Sequence, residues 1–191
     1  MKSLQEIWDE MPQKSDKGDV HSYLPVYEQI LAPYRETAHR VLEIGLFNGH
    51  SLRMWEEYFT HATVYGIDCD EQPHGGLADL RPMMAEGTHV IYIMDAGNLS
   101  DVNKTFRGIK FDIIIEDAGH DIESQIWLFN IYKNFLAEGG IYVIEDVQDV
   151  DKTGDQILAN VHMSNMNGEI LDRRHIKGRY DDCLVIIKDK Q

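Results

Sequence analysis

The sequence predicts an α/β fold: a seven-stranded sheet of five parallel strands and a C-terminal antiparallel hairpin, with helices on both faces. Three observations predict it. Five short apolar segments, nearly continuous in hydrophobicity, alternate with longer amphipathic ones, as parallel strands buried on both faces alternate with covering helices. Each apolar segment ends in, or runs straight into, a glycine or an acid. The last two apolar segments are joined by only IKGRYDD, whereas a parallel crossover needs about a dozen residues or more.

In chain order, residues 1–36 hold two short helices around QKSDKGDVHSY. The turn composition of that stretch suits an ordinary surface loop or a lid folded over a pocket. The remainder, 37–191, forms the main domain. Its first strand is 40–45 (RVLEIG), followed by a helix over 49–59 that begins at a glycine. Strands follow at 63–67 (TVYGI), 89–94 (HVIYIM) and 111–116 (FDIIIE). A helix over 121–137 opens with Asp121 and Glu123, where the helix dipole favours anions. It carries Lys133 late, and Gly139-Gly140 stops it. The fifth strand is 140–145 (GIYVIE), and 168–175 with 183–188 make the hairpin.

A length of 191 residues fits one domain, and 43% apolar with 27% charged residues describes a globular chain with a real core. Fibrous and wholly disordered readings are excluded. Thirty-three acids against 18 bases, a net charge of −15, argue against nucleic-acid partners and favour cationic ligands. No apolar run approaches the ~18 residues of a membrane span. The opening MKSLQEIWDEMPQK lacks the apolar core of a signal peptide, so a cytoplasmic location and no membrane partner are expected. Cys69 and Cys183 are too few for a disulfide framework.

The turn after the first strand reads Glu43-Ile44-Gly45-Leu46-Phe47-Asn48-Gly49. A dinucleotide fingerprint would need G-x-G-x-x-G, and Phe47 and His50 occupy its second and third glycine positions. A carboxylate on the strand repels a diphosphate and suits an amino group or a cation. Two glycines at such a turn also arise from packing alone. Asp68, about 20 residues on, can accept from both ribose hydroxyls, or cap a turn beside Asp70 and Glu71. Asp95-Ala96-Gly97 ends the third strand, as a ligand contact or a simple turn. Three acids at one sheet edge, where such sheets bind ligands, suit a nucleoside without phosphates joined to a cationic amino-acid part. S-adenosylmethionine is that molecule. Glu43, Gly45, Asn48, Gly49, Asp68, Asp95 and Ala96 are the expected cofactor residues.

The fourth strand runs into Glu116-Asp117-Ala118-Gly119-His120, and the fifth into Glu145-Asp146. Converging at one rim, Asp117, Glu145 and Asp146 would repel one another unless one kept its proton. A hard cation resolves this, and oxygen ligands favour Mg²⁺ before Mn²⁺ or Ca²⁺. The same acids could instead cap following helices, a task for which Asp121 competes. His120, three residues past Asp117, is a candidate general base, with an unperturbed pKa near 6.5, or an ordinary helix-start histidine. The chain holds no His-x-Asp or His-x-Glu pair, which removes a facial-triad iron reading.

These residues resemble a known family. VLEIGLFNGHSLRMWEEYF, YGIDCDE, IIEDAGH and GGIYVIEDV are similar to the class I S-adenosylmethionine-dependent methyltransferases, which have a Rossmann-like sheet. Within them, the metal-dependent sugar O-methyltransferases of macrolide and rhamnosyl antibiotic tailoring, the mycinamicin 2''-O-methyltransferase type, match best. SDKGDVHSYLPVYEQI resembles that group's TDKG-like segment. The resemblance implies cofactor contacts at Glu43, Gly45, Asp68 and Asp95, metal ligands at Asp117, Glu145 and Asp146, and a base at His120. It implies a Mg-assisted attack of a sugar hydroxyl on the sulfonium methyl. A catechol-type phenol acceptor and a non-catalytic S-adenosylmethionine binder are the alternatives. The glycine loop lacks the insertion of antibiotic-pathway members, and the separate N-terminal oligomerisation domain of the macrolide enzyme is not expected here. Acceptor identity therefore does not transfer, and a homo-oligomer is left open.

Overall fold

A computed structural model describes residues 1–69, 77–86 and 89–190, with the side chains of 77–79 and 86 left aside. Helices α1 (Leu4–Glu10), α2 (Asp16–Asp19) and α3 (Leu24–Leu31) precede strand β1 (Arg40–Ile44). Then come α4 (His50–Tyr58), β2 (Thr63–Asp68), α5 (Leu77–Glu86), β3 (Val90–Ile93), α6 (Leu99–Thr105) and β4 (Phe111–Glu116). They are followed by α7 (Ile122–Tyr132), β5 (Leu136–Ile144), α8 (Val150–Met163), β6 (Met166–Asp172), α9 (Arg174–Lys177) and β7 (Cys183–Asp189).

The seven strands form one sheet in the order β3-β2-β1-β4-β5-β7-β6. The first five are parallel, and β7 runs antiparallel to both β5 and β6, as expected. The chain leaves β1 toward β2 on one side and reaches β4 on the other, so the crevice opens beside β1. Backbone bonds continue past the strand ends there: Gly45 N donates to Ile67 O at 2.9 Å, and Asp117 N to Ile44 O at 2.8 Å. Glu145 N donates to Glu116 O at 2.9 Å. The tips of β1, β4 and β5 are thus locked side by side.

Alternation along the strands separates two cores. Val41, Ile113, Ile141 and Val143 face one side and pack with Leu4, Ile7, Tyr27 and Trp55. Leu42, Ile114, Tyr142 and Ile144 face the other, against Val102, Phe129 and Ile157. The N-terminal segment therefore fills much of one face. Among the described residues no helix is long and apolar enough to cross a membrane.

Three expectations need correction. The helix expected over 121–137 ends at Tyr132, a single 3₁₀ turn spans Lys133–Phe135, and β5 begins at Leu136. Gly139 and Gly140 stop nothing; they sit where the β4–β5 register shifts between Phe111 and Ile113. Gly139 has φ of +73°, and a Cβ on Gly140 would lie 2.9 Å from the carbonyl oxygens of Ala137 and Asp112. A bulge needs that backbone freedom. The stretch 13–23 is not a plain loop: α2 lies within it, capped by Ser15, and its Lys17, His21, Ser22 and Tyr23 are buried. The hairpin strand set at 168–175 runs from 166 to 172, and the following basic residues form α9.

Gly45 is required by its backbone: φ is +88°, and a Cβ would meet Asp117 O at 2.1 Å. Gly108 shares a positive φ of +76° but has open space around it. Gly108→Ala is expected to cost only the left-handed penalty of about 1–2 kcal/mol. Gly45→Ala should cost clearly more, because the β1 and β4 tips must also separate. Urea midpoints of the two variants check this; equal losses would contradict it.

Candidate active site

At the crevice beside β1 lies a cavity of about 730 Å³. Gly45 and Phe47 of the turn after β1 line it. Asp68 is 4% exposed, and its Oδ2 accepts from the Leu46 and Phe47 amides at 2.7 and 3.0 Å. That carboxylate holds the glycine turn in place while also lining the cavity. Phe47 stands in the left-handed region with φ of 50° and is half-exposed on the cavity wall. Asp95, Ala96 and Gly97 form the next wall, with Asp95 Oδ1 accepting from Gly97 N at 2.8 Å. Trp127 of α7 closes this end, its Nε1 donating to Gly97 O at 3.0 Å.

The opposite end carries Asp117, His120 and Asp146. Asp121 caps α7 by accepting from Ser124 N at 2.9 Å, so capping makes no demand on Asp117. His120 Nε2 lies 3.7 Å from Asp117 Oδ1 and 3.8 Å from Asp146 Oδ2. One ligand atom of each lies within 4.8 Å of the others. Asp146 takes up the left-handed conformation, φ 53°, which for a non-glycine residue costs free energy and points to a functional constraint. Tyr23 Oη donates to Asp146 Oδ1 at 2.6 Å.

Behind this triad is a buried cation. Lys17 of α2 is 1% exposed, and its Nζ lies 2.6 Å from Asp117 Oδ2, 2.8 Å from Glu145 Oε2 and 3.3 Å from Glu43 Oε1. Glu43 Oε2 accepts from Ser51 Oγ at 2.7 Å, and Glu145 Oε1 accepts from the Tyr27 hydroxyl. Burial opposes the ammonium charge, but Asp117, Glu145 and Glu43 outweigh it and hold Lys17 well above the ordinary lysine range.

The same field sorts the acids. Burial raises Asp117, yet Lys17 and the nearby His120 imidazole bring its carboxyl below the usual value. Burial pushes Glu145 well above the carboxylate range, with Lys17 only partly offsetting it. Asp146 is raised by burial and by the neighbouring Asp117 charge. His120 is raised above 6.5 by the Asp117 carboxylate beside it, against burial and with help from Asp146. Three carboxylates thus face one ammonium, and Asp146, which Lys17 does not reach, adds a fourth acid at the cavity end.

Of the residues expected at the site, Gly45, Asp68, Asp95, Ala96, Asp117, His120 and Asp146 line one cavity. Glu43 and Glu145 do not; their carboxylates are turned to Lys17. Asn48 and Gly49 also lie off the cavity lining. A Cβ on Gly49 would strike Met83 Sδ at 2.5 Å, so that glycine serves helix packing. Sequence reasoning missed Lys17, Tyr23, Tyr27 and Trp127. For the first, the signal was the SDKG segment itself; the others sit in ordinary amphipathic patterns.

Residues 42–147 match the family described as "Methyltransferase domain". The 8-demethyl-8-alpha-L-rhamnosyl tetracenomycin-C 2'-O-methyltransferase of Streptomyces olivaceus is 33% identical over 141 residues, 70% of this chain and 35% of that protein. The mycinamicin VI 2''-O-methyltransferase of Micromonospora griseorubida is 31% identical over 137 residues, 68% of this chain and 32% of that one. The chain thus spans about a third of the length of these relatives. The structure of the MycE methyltransferase from the mycinamycin pathway, in complex with Mg and SAH, superposes with a TM-score of 0.73 at 20% identity. It covers 100% of this chain and 55% of that one. The SAH-bound Podospora anserina methyltransferase PaMTH1 gives 0.66 at 18% identity, covering 100% and 89%. The chain belongs to the methyltransferase-domain family.

Proposed function

We propose that this chain transfers the methyl group of S-adenosylmethionine to a hydroxyl oxygen of a sugar or glycosylated small molecule, assisted by Mg²⁺ or Mn²⁺. The observation that carries the reading is one continuous cavity, with Asp68 and Asp95 at one end and Asp117, His120 and Asp146 at the other. The named activities of the relatives, O-methylation of rhamnosyl and macrolide sugars, point the same way.

The residues fit a divalent ion. Carboxylate oxygens of Asp117 and Asp146 converge at the cavity end, hard donors such ions accept, and His120 Nε2 beside them is kept for the proton. Glu145, engaged by Lys17 and Tyr27, supports the ligands rather than joining them. When bound, the ion supplies Lewis-acid lowering of a hydroxyl pKa and a fixed anchor for the acceptor. The chain's own groups do the rest. Asp95 and the Asp68-braced turn hold the nucleoside end, and the apolar faces of Phe47 and Trp127 shield it from water. His120 Nε2 takes the hydroxyl proton as the oxygen–methyl bond forms and the sulfonium–methyl bond breaks.

A base must be neutral to act. With His120 raised above 6.5, its neutral fraction falls as pH drops through that raised value, so transfer should decline on the acid side. His120→Ala should slow methylation by roughly 10²–10⁴-fold and flatten that limb, with ligand binding retained. Full activity of this variant at neutral pH would remove His120 from the role. Asp117→Asn and Asp146→Asn should each abolish Mn²⁺ binding, followed by paramagnetic resonance, while calorimetry finds S-adenosylhomocysteine affinity within about threefold. Undiminished Mn²⁺ binding in both would defeat the metal assignment.

The cysteines report on the cavity directly. Cys69 is exposed and lines it. Cys183 is fully buried, and burial with the Asp172 carboxylate pushes its thiol up to about 12. Iodoacetamide should therefore label native Cys69 alone, and saturating S-adenosylhomocysteine should suppress that labelling. Unchanged labelling would place the nucleoside elsewhere.

A further inference from the structure

Each of the three acids around Lys17 gives it one oxygen. The second oxygens of Glu43 and Glu145 are taken by Ser51 and Tyr27. Only Asp117, of these three, keeps its second oxygen turned to His120 and the cavity. The ammonium donates to Asp117 and Glu145 and pairs by charge with Glu43, so acids from three neighbouring strands share one cation. At 1% exposed, Lys17 cannot itself meet a ligand.

Its backbone is pinned from both sides. Trp8 Nε1 donates to Ser15 O at 2.7 Å. Lys177 Nζ donates to the carbonyls of Gly18, Asp19 and His21 at 2.7–2.8 Å. Ser22 N and Oγ donate to Asp182 at 3.0 and 2.7 Å. A Cβ on Gly18 would come within 2.5 Å of the Trp8 ring, so the glycine after Lys17 permits this seating.

We propose that Lys17 is a positioning residue: a permanent internal cation that fixes Asp117 with one oxygen toward the cavity and keeps Glu43 and Glu145 as its supports. What Asp117 then holds rests on the preceding reading. The charge, rather than the bulk, of Lys17 is the active property. Lys17→Met retains most of the volume without the charge, whereas Lys17→Ala leaves a slot that a small amine can enter.

The test compares both variants with the wild type by Mn²⁺ titration and thermal unfolding, each with and without methylammonium. Lys17→Met should bind Mn²⁺ at least tenfold more weakly, with S-adenosylhomocysteine affinity within about threefold. Methylammonium should raise the unfolding temperature of Lys17→Ala in a saturable way and restore its Mn²⁺ affinity. It should do neither for Lys17→Met, and tetramethylammonium, which has no N–H donors, should fail with both. Mn²⁺ binding by Lys17→Met as tight as wild type, or tighter, would overturn the proposal, as would a folded Lys17→Ala indifferent to methylammonium. If Lys17→Ala does not fold, the Lys17→Met titration decides. A wild-type protein that binds no Mn²⁺ would instead defeat the metal reading, and the amine-dependent unfolding would still decide the role of Lys17.

Discussion

The largely buried ion cluster of one lysine with three carboxylates is the constraint around which the rest of the site is arranged. Burying an ammonium or a carboxylate alone is costly by several kcal/mol, and removing one partner of a buried pair typically costs about 3–5 kcal/mol. Lys17, Glu43, Asp117 and Glu145 therefore have to arrive together. Glu43 lies on β1, Glu145 directly follows β5 and Asp117 directly follows β4, and their side-by-side lock is set by the sheet register. The lysine comes from outside the sheet, and it makes the N-terminal segment a working part of the site.

The second constraint is backbone proximity at the crevice. The β1 turn and the β4 tip approach so closely that only a glycine fits at position 45. This contact divides one cavity into two chemical environments. On one side the Asp68 carboxylate organises amides of the turn; on the other, acids accumulate beyond what Lys17 neutralises. A molecule spanning both halves passes the glycine. That matches the division between a nucleoside held by hydrogen bonds and a reacting centre governed by charge.

Much of this was legible in the sequence because it follows from local rules. Continuous apolar runs marked buried parallel strands, and seven residues between the last two runs could mark only a hairpin. Strand-end acids at Asp68, Asp95, Asp117 and Asp146 lie at one edge because parallel strands end at one edge. What stayed hidden depends on distant partners. A lysine in a polar segment reads as solvated until three carboxylates up to 128 positions away surround it. Tyr23 and Tyr27 read as core aromatics, and their hydroxyl bonds to Asp146 and Glu145 leave no periodic trace. The expected helix over 121–137 overran because Leu136–Ala137 continue its apolar pattern, while pairing with β4 claims them for the sheet.

The clasp between segment 18–22 and the hairpin region also orders events during synthesis. The Lys17 segment is made well before Lys177 and Asp182, which hold it and lie 156 to 160 positions later. Until residue 182 has left the ribosome, the segment lacks its fasteners. A nascent chain can assemble β1 to β5 and still leave its acids without their internal counter-ion. The finished arrangement becomes available only once these two distant segments meet.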